Sequence, residues 1–175
     1  MGTFTGHDGC VYEAQWSPLE PHVFASCSGD RTLKTYDIRL ARHQPTCSIV
    51  AHGAEVLCLD WCKYTPNIVT GSVDTLMHVW DTRNLSRGPV STLSGHEFAV
   101  RRVKASPHHP QIVASCSYDM SCRLWDIQKS IGVQVYDNLH SEFVYGLDFS
   151  LFAPRLATCG WDAQVCVLEL PTPTA

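Results

Sequence analysis

A histidine, a hydroxyl side chain and an aspartate recur four times along the chain at nearly constant spacing. Successive histidines are 45, 44 and 44 residues apart, and an aspartate follows each of them after 22 or 23 residues. A serine or threonine stands four residues before each aspartate. The histidines are His7, His52, His96 and His140; the hydroxyl residues are Ser26, Thr70, Ser115 and Thr158; the aspartates are Asp30, Asp74, Asp119 and Asp162. Because these are the residue types of a nucleophilic triad, they raise the question of catalysis.

The repetition favours a structural role for these residues over a catalytic one. Four equivalent active sites in one array would be unusual, whereas a buried polar network that holds the loops of each repeat must recur in every repeat. The residues six positions after the aspartates are Tyr36, Trp80, Trp125 and Leu168. The first three can donate a hydrogen bond into such a network. Leu168 cannot, so we expect the fourth repeat to be the least stable.

The period of the repeat indicates which elements carry these residues, because 44 or 45 residues is the length of a propeller blade. In the third repeat, residues 100–105, 112–117, 122–125 and 133–136 are predicted as short strands separated by turn residues. Four antiparallel strands form one small sheet, and such sheets must pack face to face around an axis. The predicted fold class is therefore all-β, a WD-repeat β-propeller with about four of an expected seven blades and an incomplete ring.

The repeats divide the chain into segments. Residues 1–5 are predicted to be the outer strand of a preceding blade, and WD repeats cover residues 6–50, 51–94 and 95–138. A degenerate, incomplete repeat covers 139–170, and 171–175 form a C-terminal tail whose prolines discourage a further strand. We expect a truncated form of a longer propeller; the alternative is a two-fold dimer in which residues 3–5 of each copy complete the other's last blade.

The composition of the chain argues against several function classes. Only 17% of the 175 residues are charged, the formal net charge is −4, and no long block of Lys or Arg occurs. We therefore expect neither a nucleic-acid partner nor attraction to an anionic membrane. No stretch approaches the roughly 20 consecutive apolar residues that cross a bilayer, so we expect no direct membrane insertion.

The positions of the cysteines predict that these residues pack in the core. Three of the nine cysteines, Cys27, Cys116 and Cys159, fall at one repeated position, where Gly71 replaces the fourth. This pattern predicts a small buried slot in each blade, in which free Cys behaves as a small apolar residue. We expect no disulfide framework, no metal and no cofactor.

Four stretches outside the repeat hallmarks carry a more specific resemblance. They are residues 51–64, 98–104, 114–121 and 142–150, with the sequences AHGAEVLCLDWCKY, FAVRRVK, ASCSYDMS and EFVYGLDFS. Together they resemble the C-terminal half of the peroxin-7 family, the WD-repeat receptors for type 2 peroxisomal targeting signals. The resemblance spans essentially the whole chain.

The resemblance implies a receptor without catalytic activity that binds the N-terminal type 2 signal of cargo proteins. It implies shuttling between the cytoplasm and the peroxisome, and a co-receptor that is the long form of the type 1 signal receptor or a fungal equivalent. The family's signal begins with Arg or Lys plus an aliphatic residue and ends, five residues later, with His or Gln plus a small or aliphatic one. This spacing places the key groups of the signal along one side of a helix. A helix of this kind suits a groove that combines apolar and acidic groups.

The candidate signal-binding surface is the top face, formed by the loops that enter each inner strand and by the turns before each repeat aspartate. Its predicted residues are Tyr12, Glu55, Leu57, Arg101, Tyr118, Phe143, Tyr145 and Trp161. Aromatic side chains are common anchors at interfaces, and Glu55 is the best candidate to pair with a basic group of the signal. The basic residues Arg101, Arg102 and Lys104 are expected on a solvated face or against the co-receptor.

Two other functions remain open from the sequence. A propeller of the same fold can be a generic scaffold or adaptor in signalling or chromatin complexes, because fold alone does not determine function. An enzyme that uses His, Ser and Asp would need one repeat that departs from the others by placing a reactive group in an exposed cleft. No such repeat stands out in the sequence.

Overall fold

The computed structural model describes residues 2–170, which form 15 β-strands in four antiparallel sheets. The first sheet contains β1 (Val11–Trp16), β2 (Val23–Ser28), β3 (Thr32–Asp37) and β4 (Cys47–Val50). The second contains β5 (Val56–Trp61), β6 (Asn67–Ser72), β7 (Met77–Asp81) and β8 (Ser91–Leu93), with a 3-10 turn at Leu85–Arg87 before β8. The third contains β9 (Val100–Ala105), β10 (Ile112–Ser117), β11 (Cys122–Asp126) and β12 (Ile131–Tyr136). The fourth contains β13 (Val144–Phe149), β14 (Arg155–Gly160) and β15 (Val165–Glu169).

Within each sheet the strands lie in chain order, and the inner strands β1, β5, β9 and β13 lie next to one another. The predicted all-β propeller fold is confirmed, and the four sheets of residues 2–170 do not close into a ring. Within the same residues, no helix has the length and apolar character needed to cross a bilayer.

The third sheet shows how well the strand pattern predicted the elements. Its first two strands have the predicted bounds, while β12 begins two residues earlier than predicted. The extension passes through Gly132, which pairs with Trp125 across a register shift between Leu124 and Trp125. The indole ring lies 3.7 Å from the position that a Cβ of Gly132 would occupy, so a side chain there would make only ordinary van der Waals contact with the ring.

Adjacent sheets are held together by apolar cores. Between the second and third sheets, Val69 and Met77 of one sheet and Val100 and Val103 of the other belong to one core and are fully buried. Comparable cores join the first sheet to the second and the third to the fourth. Burial of each such side chain contributes about 1.5–3 kcal/mol, so face-to-face packing supplies the stability that these short strands lack alone.

The slot predicted at the repeated Cys/Gly position is present in three sheets and absent in the fourth. Cys27, Gly71 and Cys116 are buried, but Cys159 is exposed, so the prediction is wrong for Cys159. The physical reason is that, within residues 2–170, no further sheet packs on that face of the fourth sheet. Val165 on the same sheet is likewise 72% exposed. All nine cysteines are free thiols.

The segments at the two ends of the described chain differ from the sheets between them. Residues 2–5 form no strand. Phe4 instead packs edge-on against Phe24 and Tyr36, with ring centroids 5.1 and 5.7 Å away. An outer strand of another blade at residues 1–5 stays a prediction, since no such blade lies within residues 2–170. The fourth sheet has three strands, as predicted, and the tail at 171–175 lies outside the described residues.

Candidate functional site

The recurring histidine, hydroxyl and aspartate lie within hydrogen-bonding distance in all four sheets. In each sheet the histidine Nδ1–H donates to the aspartate, and the Ser or Thr hydroxyl donates to Nε2. The distances are 2.8 and 2.7 Å for His7 with Asp30 and Ser26, 3.1 and 2.8 Å for His52 with Asp74 and Thr70, 2.7 and 2.7 Å for His96 with Asp119 and Ser115, and 2.9 and 2.9 Å for His140 with Asp162 and Thr158. The fixed spacing therefore brings the same three groups together four times.

The aspartate carboxylates also hold the chain around them. Asp119 accepts the backbone N–H groups of Glu97 and Ser121 in addition to the imidazole. Burial by itself raises the pKa of Asp119, but the hydrogen bonds from His96 and Ser121 outweigh it and hold the pKa well below its usual range. The carboxylate is therefore a charged anchor that joins the loop after the histidine to the turn before the third strand.

An indole completes the network in the second and third sheets. Trp80 Nε1 donates to Thr70 at 2.9 Å, and Trp125 Nε1 donates to Ser115 at 2.7 Å. In the first sheet the ring of Tyr36 stacks on Phe24 with centroids 4.8 Å apart. Burial raises the pKa of the Tyr36 hydroxyl, and its contact with Ser26 partly offsets this rise.

The geometry of these networks favours structure over catalysis. The hydroxyls of Thr70 and Ser115 are fully buried and already bonded to both an imidazole and an indole. A nucleophile must reach a substrate, and these two hydroxyls have no path to solvent. No group of three or more His, Cys, Asp or Glu within residues 2–170 could hold a metal ion.

The top face is shaped by a β-bulge at the second residue of every inner strand. In β1, Val11 pairs with Ser28 and Glu13 with Cys27, so Tyr12 has no partner in β2. The same register shift leaves Leu57, Arg101 and Tyr145 unpaired in the other three sheets. A bulge bends the strand and redirects the side chain of its extra residue. The four predicted residues at this position thus share one backbone geometry, which spacing alone did not predict.

Tyr12 and Glu55 join the first two sheets on the top face. The Tyr12 hydroxyl donates to Glu55 Oε2 at 2.7 Å, and both side chains are exposed. This hydrogen bond, followed by burial and the nearby negative charge, raises the pKa of Tyr12. Gly29 lies against the pair, because a Cβ there would stand 3.4 Å from the Tyr12 ring. The result is an exposed carboxylate whose position is fixed by a phenol.

Arg101 and Tyr145 join the third and fourth sheets in the same way. Arg101 Nη2 donates to the Tyr145 hydroxyl at 2.6 Å, and its guanidinium carbon lies 4.1 Å from the ring centroid. Such a cation over an aromatic face is electrostatically favourable. The guanidinium is partly buried, so Arg101 is held against Tyr145 and does not extend freely into solvent.

An aromatic row, Tyr118, Phe143 and Trp161, continues the surface across the third and fourth sheets. The ring centroids are 5.0 Å apart for Tyr118 and Phe143, and 5.3 Å apart for Phe143 and Trp161. Trp161 is 64% exposed. Tyr118 and Phe143 are half-buried. Aromatic rings in contact with each other provide a rigid apolar platform for a partner.

Two residues that were predicted to lie on the surface have different surroundings in the structure. Only 9% of Leu57 is exposed, because a purely apolar side chain at this position gains stability by burial, so Leu57 adds little to the surface. Arg102 does not lie free on a solvated face, since its Nη1 donates to Glu13 Oε1 at 2.6 Å. Sequence reasoning missed Glu13. The signal that could have found it is the opposite charge of Glu13 and Arg102 at the same position of the first and third repeats.

Comparison with known proteins agrees with this architecture. Residues 1–37, 43–81, 87–126 and 133–168 match the family described as WD domain, G-beta repeat. The chain belongs to the WD-repeat family. This WD-repeat chain is 33% identical to the peroxisomal targeting signal 2 receptor of Saccharomyces cerevisiae, over 94% of the chain and 55% of the relative. It is 44% identical to the receptor of the same name from Mus musculus, over 95% of the chain and 52% of the relative.

The resemblance predicted from the four distinctive stretches is therefore confirmed. A guanine nucleotide-binding protein subunit beta from Solanum tuberosum is 34% identical over 93% of the chain, so the WD repeats themselves account for part of each match. The chain spans about half the length of the peroxisomal receptors that it matches.

Proposed function

We propose that this WD-repeat chain binds the type 2 peroxisomal targeting signal of cargo proteins through its top face. The observation that carries the proposal is the exposed Glu55 carboxylate, held by Tyr12 on the same face as the aromatic row Tyr118, Phe143 and Trp161. A helix with a basic residue at one end and apolar residues along one side is complementary to this combination of charge and rings. Similarity to receptors named for this signal supports the same proposal.

Other charges on the top face are consistent with a basic ligand. Asp8 and Glu97 directly follow two of the repeat histidines, and Glu142 follows a third by two residues; all three are exposed. Their summed field attracts a cationic peptide at longer range than Glu55 alone. Arg101 keeps its positive charge but is held against Tyr145 between the third and fourth sheets, away from Glu55 of the second.

The same proposal includes the partners and location of such a receptor. We propose that cargo is delivered for import together with a co-receptor, the long form of the type 1 signal receptor or a fungal equivalent. The chain would then move between the cytoplasm and the peroxisome. In this role it binds and does not catalyse, which fits the fully buried hydroxyls of Thr70 and Ser115.

The test is a binding titration with a fluorescent type 2 signal peptide, followed by anisotropy, on the 175-residue chain. Glu55→Lys should weaken binding at least tenfold because it replaces an attractive charge by a repulsive one. Glu20→Lys, on an exposed loop between β1 and β2 at the opposite end of the sheet, makes the same charge change and should leave the affinity within twofold.

A second peptide distinguishes signal recognition from general scaffold behaviour. In this peptide, the Arg or Lys at the start of the signal and the His or Gln near its end are both replaced by alanine. The signal peptide should bind the chain and the altered peptide should not. Equal binding of both peptides, or an unchanged affinity in Glu55→Lys, would contradict the proposed receptor function and favour a generic WD scaffold.

A further inference from the structure

Three side-chain contacts near the top face connect all four sheets. Tyr12 reaches Glu55 in the loop before β5, Glu13 reaches Arg102 in β9, and Arg101 reaches Tyr145 in β13. The first and third contacts join neighbouring sheets. The second joins the first sheet to the third, past the inner strand of the second.

Glu13 is the centre of this connection. Its Oε2 accepts the backbone N–H of Leu59 at 3.0 Å, on the inner strand of the second sheet. Its Oε1 accepts Arg102 Nη1 at 2.6 Å and Gln15 Nε2 at 2.9 Å. The carboxylate is only 10% exposed, so the charge-assisted hydrogen bonds are shielded from water. One side chain therefore contacts the inner strands of three sheets.

The ion pair lies one residue from the two bulges that carry surface residues. Tyr12 directly precedes Glu13 in β1, and Arg101 directly precedes Arg102 in β9. Neither Tyr12 nor Arg101 is held by pairing with the adjacent strand of its own sheet. Their positions depend on the residues beside them, and those residues are the two members of the ion pair.

We infer that Glu13 and Arg102 are positioning residues for the signal-binding top face, fixing the separation between the Tyr12–Glu55 pair and the Arg101–Tyr145 pair. The inference rests on the proposed function. It differs from a general stabilising role because it predicts a change in ligand affinity that other contacts between inner strands do not produce.

Asp60 provides a matched control within the chain. Like Glu13, it is a buried carboxylate on an inner strand, and it accepts the backbone N–H of Ala105 in the next sheet at 2.8 Å. It lies toward the opposite end of the inner strand and contacts no residue of the top face. Both Glu13→Gln and Asp60→Asn keep a hydrogen-bond acceptor and remove one charge.

The first measurement is the affinity of the signal peptide for each variant, below the unfolding temperature of both. Glu13→Gln should weaken binding at least fivefold, and Asp60→Asn should leave it within twofold. Arg102→Met should match Glu13→Gln, whereas Arg102→Lys, which keeps the charge, should recover at least half of the lost affinity on a logarithmic scale. Equal effects of Glu13→Gln and Asp60→Asn would overturn the inference.

The second measurement needs no ligand. With 3-fluorotyrosine incorporated, ¹⁹F NMR resonances of Tyr12 and Tyr145 are assigned by their absence in Tyr→Phe variants. Glu13→Gln should shift or broaden both resonances, and Asp60→Asn should move neither; unchanged resonances in Glu13→Gln would overturn the positioning role. Failure of the unmodified chain to bind the signal peptide would instead count against the proposed function, and the NMR comparison would still decide the positioning role.

Discussion

The indole N–H of Trp80 donates a 2.9 Å hydrogen bond to the Thr70 hydroxyl, and both side chains are buried. Thr70 in turn donates to His52, which donates to Asp74, so one chain of hydrogen bonds runs from the indole to a carboxylate. Because every member is satisfied within the protein, such a network is rigid and costly to interrupt. The contribution of the Trp80 indole to stability can be measured by substitution.

Trp80→Phe removes the indole donor and keeps most of the buried ring. We expect the free energy of unfolding in urea to fall by about 1–3 kcal/mol, because one buried hydrogen bond is lost and the smaller ring leaves space in the core. Trp16→Phe is the control, because Trp16 is 58% exposed, and it should change stability by less than about 0.5 kcal/mol. Equal losses in the two variants would contradict this prediction.

The fourth sheet should be the least protected part of the chain in amide hydrogen exchange. Leu168 occupies the indole position without a donor, the sheet has three strands, and Val165 and Val167 are 72% and 65% exposed. Local opening is cheapest where few apolar contacts are lost. We expect amides in β13 to β15 to exchange before those in β5 to β7, and the reverse order would contradict this account.

Gly71→Ala should overpack the interface between the second and third sheets. An added Cβ would lie 2.7 Å from Val100 Cγ1 and 2.8 Å from Cys58 Sγ, and both neighbours are fully buried. We expect a loss of about 1–3 kcal/mol in the free energy of unfolding.

Gly53→Ala is the matched control for that substitution, since the nearest atom to its Cβ would be Asp74 Oδ2 at 3.9 Å. It should change stability by less than about 0.5 kcal/mol. A second check is Val100→Ala in the Gly71→Ala background, which should cost less than Val100→Ala alone because it relieves the overlap.

Stability should fall as the pH is lowered from about 6.5 to about 4. Burial lowers the pKa of His52 to about 4, helped by His78, whose ring stacks on it at 4.2 Å, and opposed by Asp74. The unfolded imidazole titrates near 6.5, so in this window the unfolded chain binds a proton that the folded chain does not. The stabilisation is complete above about pH 6.5 and is lost as the pH falls to about 4.

The size of this effect has an upper bound of about 3.5 kcal/mol, since the folded and unfolded pKa values of His52 differ by about 2.5 and each pKa unit corresponds to about 1.4 kcal/mol. Urea unfolding at pH 7.5 and 4.5 measures it, and an NMR titration of the His52 ring assigns it. His22→Gln, on an exposed loop, should leave the pH dependence unchanged. A His52 pKa close to 6.5 in the folded chain would contradict the prediction.

The amino-acid sequence alone predicts the repeat, the fold class and the groups that meet in each hydrogen-bond network. This was possible because His96, Ser115 and Asp119 lie within one repeat, where short antiparallel strands and turns translate fixed spacing into fixed distances. The strand pattern also located the elements of the third sheet to within two residues, and the family followed from stretches within single repeats.

The contacts between repeats depend on how the four sheets pack in three dimensions. The pair of Glu13 and Arg102 joins residues 89 positions apart. Their opposite charges at one repeat position are visible in the sequence, but the spacing does not show that the two side chains reach each other. The same holds for Leu57, which is buried, and for Cys159, which is exposed although its equivalents in other repeats are not. Burial and ion pairing depend on which sheet packs against which, and that arrangement exists only once the sheets stand around a common axis.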